Sequence, residues 1–213
     1  TRAAGQVFCS PTGDYMTLIC FTHGSLARER VRDEHNLNWG GFTRAITSTS
    51  PGNNGAILLP WFEAEIVPRV NKPGVRRFDL DEKNAAANCR AVCEAQMLSM
   101  RLHSQWMQVA PHCIYATGGA SNNRELLQIM ADVMHCRVLR IEISKSAALG
   151  AALLAAHGWS VESGKPMKWE KLTAGFTAPV AGSEILPDKK AAKIYDKLLE
   201  KYALCESDAL DII

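Results

Sequence analysis

The sequence is short of the features that most quickly assign a chain to a functional class. Its 24 lysines and arginines nearly balance 22 aspartates and glutamates, so no charge excess points to nucleic acid or an anionic membrane. No apolar run reaches the roughly 20 residues that a membrane-spanning helix needs, and the first residues show no signal-peptide pattern. We therefore expect a cytoplasmic protein without nucleic-acid or membrane partners.

Metal-binding patterns are also lacking. The six histidines are scattered and form no HExxH pair, and the seven cysteines are irregularly spaced. Cys89 and Cys93 stand four apart on an expected helix, but no second pair at ligand spacing accompanies them. We predict no metal site and free cysteines, with Cys20 and Cys113 buried in apolar strands.

The 213 residues are enough for one α/β domain over residues 1–213. Apolar runs predict strands at 6–9, 17–21, 56–61, 113–117 and 137–141. Helical periodicity predicts helices from 25, at 39–46, at 82–109 (the longest), from 121, at 144–157 and at 187–204. We expect Ser25 and Asp81 as N-caps, residues 28–32 on an exposed charged face, and Ile194 facing inward. The alternation of strands and helices favours a parallel or mixed sheet.

Two glycines stand where a predicted strand becomes a predicted helix, in the segment TGGASNN at 117–123. Glycine allows a positive φ and close approach to the backbone, and a helix N-terminus presents unpaired N–H groups to an anion. Asn123 offers an amide that can read a purine or ribose, or that can simply cap the helix. By itself the pattern fits either a nucleotide site or a structural turn.

This segment, with SKSAALGAALLAA at 144–156, resembles the nucleotide-binding region of the FGGY carbohydrate kinases. The stretches CFTHGSLARERVR at 20–32 and NWGGF at 38–42 are similar to the animal-type members of that family. The resemblance runs from about residue 6 to 204. It implies an actin-like, ribonuclease-H-like α/β fold, of which this chain is the C-terminal lobe with a mixed sheet flanked by helices.

The resemblance also implies which residues bind the nucleotide. It assigns contacts with ATP to Gly119, Ala120 and Asn123, with Gly118 in the turn, and it puts Trp39 at the nucleotide. An indole can stack on a purine face, although a core tryptophan at a helix start is the alternative.

Two acidic residues stand in family motifs without an assigned catalytic role. LPWFEAEIVP at 59–68 occupies the position of the LPYLxGERxP motif, with Ile66 in place of the arginine, and leaves Glu65 either buried and paired or exposed. Asp132 follows Gln128 in a QxxAD pattern and is expected to support its helix rather than take part in chemistry. Ser146 and Gly150 suit close helix packing.

By resemblance, the complete protein phosphorylates D-xylulose to D-xylulose 5-phosphate with ATP and Mg²⁺. Neither phosphate loop of the family nor its base aspartate is found here, so we assign no catalytic residue and expect the chain alone to be inactive. The N-terminal lobe would be its partner, and the oligomeric state stays open, a homodimer included.

Two other hypotheses compete with a kinase. One is a non-catalytic actin-like module that binds nucleotide for regulation or assembly. The other, a dinucleotide-binding dehydrogenase domain, is disfavoured because the glycines lack the GxGxxG spacing, although Glu142 lies near a strand end 24 residues after Gly118.

Overall fold

A computed structural model describes residues 5–143 and 145–211. Its strands are β1 (Gln6–Cys9), β2 (Tyr15–Leu18), β3 (Ile57–Leu59), β4 (Arg76–Phe78), β5 (Cys113–Ala116) and β6 (Arg137–Arg140). Its α-helices are α1 (Ser25–Glu34), α2 (Trp39–Thr47), α3 (Ala85–Ser104), α4 (Arg124–Met134), α5 (Ser146–Glu162), α6 (Trp169–Thr173) and α7 (Lys189–Asp211). This order confirms the predicted α/β class. Across the described ranges, no helix combines the length and apolar character that crossing a membrane requires.

Helix α3 forms the centre of the core. Every residue from Asn88 to Ser99 is buried, which is the pattern of a helix covered on all sides rather than on one stripe. It packs against α1, α2, α4, α7 and β3, and the cluster around it includes Phe42, Leu98 and Tyr195. Each large apolar side chain buried in this way contributes about 1.5–3 kcal/mol, so α3 holds the surrounding elements in place.

The strands pair in three two-stranded sheets. The hairpin β1–β2 and the pair β3–β4 are antiparallel, whereas β5 and β6 run parallel, with Cys113 opposite Arg137. Helix α4 connects β5 to β6, as parallel pairing requires. The glycine turn therefore lies at the carboxyl end of β5, the end where open α/β sheets bind their ligands.

Two predicted N-caps are wrong. Helix α3 begins later than expected because Asn84, rather than Asp81, is its N-cap, and Asn84 Oδ1 accepts a hydrogen bond from Ala87 N at 3.1 Å. The N-cap of α1 is Gly24, without a side-chain cap, so Ser25 is the first helical residue. The longest helix within the described ranges is α7, with 23 residues, rather than α3, with 20.

Several predicted exposures are also wrong, because tertiary packing decides them. Arg28 is buried with 8% exposure, since it lies on the face of α1 that packs against the core. Cys20 is exposed and β5 is only half-buried, with Tyr115 54% exposed. Ile194 is 44% exposed, although its Cγ2 lies so close to Gly52 that a β-carbon there would clash.

Two apolar surfaces of the described chain face outward. All eight residues of β1 and β2 are exposed, and in α5 only Ser160 is buried. A β-carbon added at Gly150 would meet no atom within 4 Å. The close helix packing that the small residues of α5 predict is therefore not made within the described residues.

Candidate nucleotide-binding site

A cavity of about 660 Å³ lies between α1, α2 and the glycine turn before α4. Its lining residues come from all three elements: Ser25, Arg28, Glu29, Trp39, Gly40, Phe42, Thr43, Gly119, Ala120, Asn122, Asn123 and Leu126. Of the five residues predicted to bind nucleotide, Trp39, Gly119, Ala120 and Asn123 thus line one cavity. Gly118 is not among its lining residues and acts on the shape of the turn instead.

The turn itself is a single turn of 3-10 helix from Gly119 to Asn122. Gly118 enters it with φ +84° and ψ 178°, a conformation that only glycine adopts without strain. Helix α4 begins at Arg124 rather than near Ser121, so the predicted start is wrong by one turn. A β-carbon at Gly119 would meet no atom within 4 Å, so the packing of the protein does not require glycine at this position. Without a side chain, Gly119 leaves its backbone accessible to a ligand in the cavity.

Asn123 is held from both ends of its amide. Its Oδ1 accepts from Leu126 N at 3.1 Å, which makes it the N-cap of α4. Its Nδ2 donates to Thr43 Oγ1 at 3.1 Å, and that hydroxyl donates to Trp39 O at 3.0 Å. The capping alternative is therefore realised. One N–H and one carbonyl lone pair of the fixed amide stay free for a ligand.

Trp39 is the first residue of α2 and is 45% exposed, so the core alternative is wrong. The Arg32 guanidinium carbon lies 4.5 Å from the ring centroid and covers one face of the indole. Phe42 meets it edge to face, with centroids 5.5 Å apart. Since Trp39 lines the cavity and Arg32 does not, the face opposite Arg32 is the one available to a base.

Sequence reasoning missed eight of the twelve residues that line this cavity. Ser25, Arg28 and Glu29 on α1 stand at positions i, i+3 and i+4, and so do Trp39, Phe42 and Thr43 on α2. Residues at that spacing share one face of a helix. The common spacing of the two helices was the signal that could have found them.

A second buried group lies beside this cavity, around Glu65. The Glu65 carboxylate accepts hydrogen bonds from the backbone of Thr22 at 2.6 Å, Ile66 at 2.7 Å and His23 at 3.0 Å, and from His23 Nδ1. Because His23 Nε2 accepts from Glu63 N at 3.2 Å, the ring proton resides on Nδ1. Burial alone would raise the pKa of the Glu65 carboxyl, but these hydrogen bonds outweigh it and lower the pKa to about 2.

Glu65 is therefore buried and paired, the first of its two sequence alternatives. Glu65 and His23 line a smaller cavity of about 240 Å³, and Arg28 lines both cavities.

Asp132 supports its helix, as expected, since its carboxylate accepts hydrogen bonds from Gln128 Nε2 at 2.8 Å and from Asp188 N at 2.7 Å. Burial raises the pKa of its carboxyl.

A known protein family and several known sequences resemble this chain. The profile described as "FGGY family of carbohydrate kinases, C-terminal domain" matches residues 6–159. The Xylulose kinase of Rattus norvegicus is 35% identical over 217 residues, covering 97% of this chain and 39% of that protein. Xylulose kinase 2 of Arabidopsis thaliana is 33% identical over 175 residues, covering 73% of this chain and 31% of that protein. The chain thus spans about two fifths or less of the length of these relatives.

Solved structures give the same fold. The ligand-bound xylulose kinase from Lactobacillus acidophilus matches 96% of this chain and 42% of its own, with a TM-score of 0.84 and 17% identity. The xylulose kinase from Rhodospirillum rubrum matches 93% of this chain and 40% of its own, with a TM-score of 0.78 and 24% identity. At these identities the likeness concerns the fold alone, and it confirms the actin-like architecture.

Proposed function

The chain belongs to the FGGY family of carbohydrate kinases, and from that premise we propose that its complete protein transfers a phosphoryl group from ATP to D-xylulose. The family match supports a sugar kinase. The xylulose kinases of Rattus and Arabidopsis, to which the chain is similar, support D-xylulose as the sugar and D-xylulose 5-phosphate as the product. The chain supplies the nucleotide half of the site.

The observation that carries this proposal is the meeting of the glycine turn and Trp39 in one cavity of about 660 Å³. A purine stacked on the free face of Trp39 lies within the same cavity as the Asn123 amide and the backbone of Gly119. Stacking and amide hydrogen bonds recognise a base without any catalytic group. The chain thus binds and orients ATP, and the sugar and its base belong to the other lobe.

Mg²⁺ fits this chain only as a companion of the nucleotide. Within the described residues, no group of three or more histidine, cysteine, aspartate or glutamate side chains is arranged to hold a metal ion. Mg²⁺ in phosphoryl-transfer enzymes is commonly bound by one or two carboxylates together with substrate phosphates.

The proposed partner of the chain is the N-terminal lobe of the same protein. Two observations support it: the match is to a C-terminal domain, and the exposed hairpin β1–β2 and helix α5 are apolar surfaces of the described chain. Val7 is 57% exposed and Trp159 70% exposed. Closure of two lobes over the substrates would exclude water from the phosphoryl group.

The test is ADP release by the complete polypeptide, including whatever precedes Thr1, with D-xylulose, glycerol, gluconate, ribulose or no sugar. We expect a rate with D-xylulose well above the others, and none from the 213-residue chain alone. Preference for another sugar would keep the kinase and discard D-xylulose. Nucleotide binding without any sugar-dependent ADP would favour the non-catalytic module instead.

A matched pair of variants ties the activity to this cavity. Trp39→Leu removes the stacking surface and should raise the KM for ATP while leaving the KM for the sugar unchanged. Trp169→Leu is the control, because Trp169 stacks on His157 at 4.2 Å and does not line the cavity. Equal ATP dependence of the two variants would contradict the assignment.

A further inference from the structure

Arg28 is the one cation among the residues that line the nucleotide cavity. It lies on α1 and is only 8% exposed. The other charged lining residue, Glu29, follows it in the chain, but within the described residues no carboxylate oxygen approaches the Arg28 guanidinium within 4.0 Å. Burying a positive charge without a counter-ion costs free energy, and a bound anion would offset that cost.

The hydrogen bonds of Arg28 are few. Within the described residues its guanidinium makes one, from Nη1 to Gln96 Oε1. Gln96 Nε2 in turn donates to His23 O and Gly24 O, both at 2.6 Å, so the Gln96 carbonyl is held toward Arg28. A guanidinium carries five N–H groups, and most of those of Arg28 have no acceptor among the described residues.

Another buried arginine shows what a satisfied guanidinium looks like in this protein. Arg90 is 6% exposed and donates to Thr49 Oγ1, Thr49 O and Ile46 O. It also contacts Glu94 Oε1 at 3.2 Å and Tyr195 Oη at 3.3 Å. Both arginines are equally buried, but only Arg90 has a carboxylate and a full set of acceptors. The difference marks Arg28 as a group prepared for a ligand.

We propose that Arg28 is a nucleotide-binding residue that provides the counter-charge for the polyphosphate of ATP and ADP. This inference rests on the proposed function. A nucleoside di- or triphosphate brings several negative charges to a cavity whose walls supply one cation. Hydrogen bonds between a guanidinium and phosphate oxygens are strong, and they gain further from the low dielectric of a partly enclosed site.

The experiment measures the affinity of the complete polypeptide for adenosine, AMP, ADP and ATP by calorimetry. Arg28→Met removes the charge and keeps most of the volume, Arg28→Lys keeps the charge, and Arg30→Met is the control. Arg30 lies on the same helix with its side chain 61% exposed, and it contacts Glu63 at 3.1 Å. We expect Arg28→Met to weaken ADP and ATP binding about 10- to 100-fold, as the loss of hydrogen bonds to a charged group predicts. Adenosine binding should change less than about twofold, with Arg28→Lys intermediate and Arg30→Met unchanged.

Two results would overturn the inference. An equal loss of adenosine and ADP affinity would show that Arg28 acts only through Gln96 and the shape of the cavity, and unchanged affinities would show that it has no role. If Arg28→Met does not fold, as judged by its thermal transition, the comparison of adenosine with ADP in Arg28→Lys decides. Failure of the unmodified protein to bind any adenine nucleotide would instead refute the proposed function.

Discussion

Asn123 and Thr43 are joined by a hydrogen bond of 3.1 Å from Nδ2 to Oγ1, although 80 residues separate them in the chain. Because Thr43 also donates to Trp39 O at 3.0 Å, the bond connects the cap of α4 to the start of α2. The two helices thereby keep a fixed spacing across the cavity. The Thr43 hydroxyl thus adds to the packing of both helices on α3 a direct link between the start of α2 and the glycine turn.

Replacing Thr43 by valine should therefore weaken nucleotide binding without unfolding the protein. Valine has the shape of threonine but lacks the hydroxyl, so the Asn123 amide loses its second anchor. Holding the freed amide in place for a ligand then costs up to about 1 kcal/mol, which predicts an affinity for ADP weaker by up to roughly fivefold. Calorimetric titration with ADP measures this change. Thr47→Val is the control, since Thr47 lies on the same helix and, in the described part of the chain, its hydroxyl donates only to Thr43 O at 2.6 Å. Equal ADP affinities for both valine variants would contradict the connection.

The two glycines of the turn should respond to alanine in opposite ways. Gly118 has φ +84°, so Gly118→Ala should destabilise the protein by about 1–3 kcal/mol in urea unfolding. Gly119→Ala should leave unfolding unchanged, because its β-carbon meets no atom within 4 Å, but should lower ADP affinity by narrowing the cavity. Stability loss at Gly119 with intact binding would refute this division of roles.

Features that depend on neighbouring residues could be predicted from the sequence. The order of the five predicted strands and six predicted helices, the start of α2 at Trp39 and the glycine turn after β5 follow from periodicity and local chemistry, and the structure agrees with them. The short elements β4 and α6 were not predicted. The N-cap at Asn123 is also a local feature, because it joins Asn123 to Leu126, three positions later. The sequence therefore offered it as one of two alternatives.

Features that depend on distant residues could not be predicted. Arg28 is buried because α3 covers its face of α1, and charge pattern alone had suggested an exposed face. The contact between Thr43 and Asn123 needs the packing of α2 beside α4, which no local pattern encodes. The residues that complete the site are thus those whose partners lie far away in the sequence.

Breaking the buried ion pair of Arg90 and Glu94 should destabilise the protein far more than removing a neutral hydrogen bond. Glu94 is 1% exposed and also accepts from Tyr195 Oη at 2.8 Å and from Gly52 N at 2.9 Å. Arg90→Met would leave this carboxylate without its cation and should cost about 3–5 kcal/mol, whereas Tyr195→Phe removes one hydrogen bond and should cost about 1 kcal/mol.

Urea unfolding of these variants measures the difference. Arg69→Met is a suitable control because Arg69 is exposed, and its side chain donates only to Asn71 at 3.3 Å within the described residues. We expect the control to change the free energy of unfolding by less than about 0.5 kcal/mol. Equal small losses for Arg90→Met and Tyr195→Phe would show that the pair contributes no more than a neutral hydrogen bond.

Glu65 should make the free energy of unfolding depend on pH in the acidic range. Its folded pKa is lowered to about 2, below the ordinary value, so its ionised form stabilises the native state above the unfolded pKa of about 4.3. That contribution, at most about 3 kcal/mol, is lost as the pH falls from about 4.5 toward 2. Glu65→Gln should therefore be less stable than the unmodified protein at pH 6, with a difference that narrows between pH 4.5 and 3.

Urea unfolding at pH 6, 4.5 and 3 tests this expectation, with Glu63→Gln as the control. The Glu63 side chain is 62% exposed, and its one ion pair within the described ranges is with Arg30 on the surface, so its removal should give a small stability difference that hardly changes with pH. The groups around Glu65 are the ring of His23 and the backbone N–H groups of Thr22, His23 and Ile66, all of which favour the ionised carboxylate. A gap between Glu65→Gln and the unmodified protein that stays constant from pH 6 to pH 3 would mean that the carboxylate is not held in its charged form.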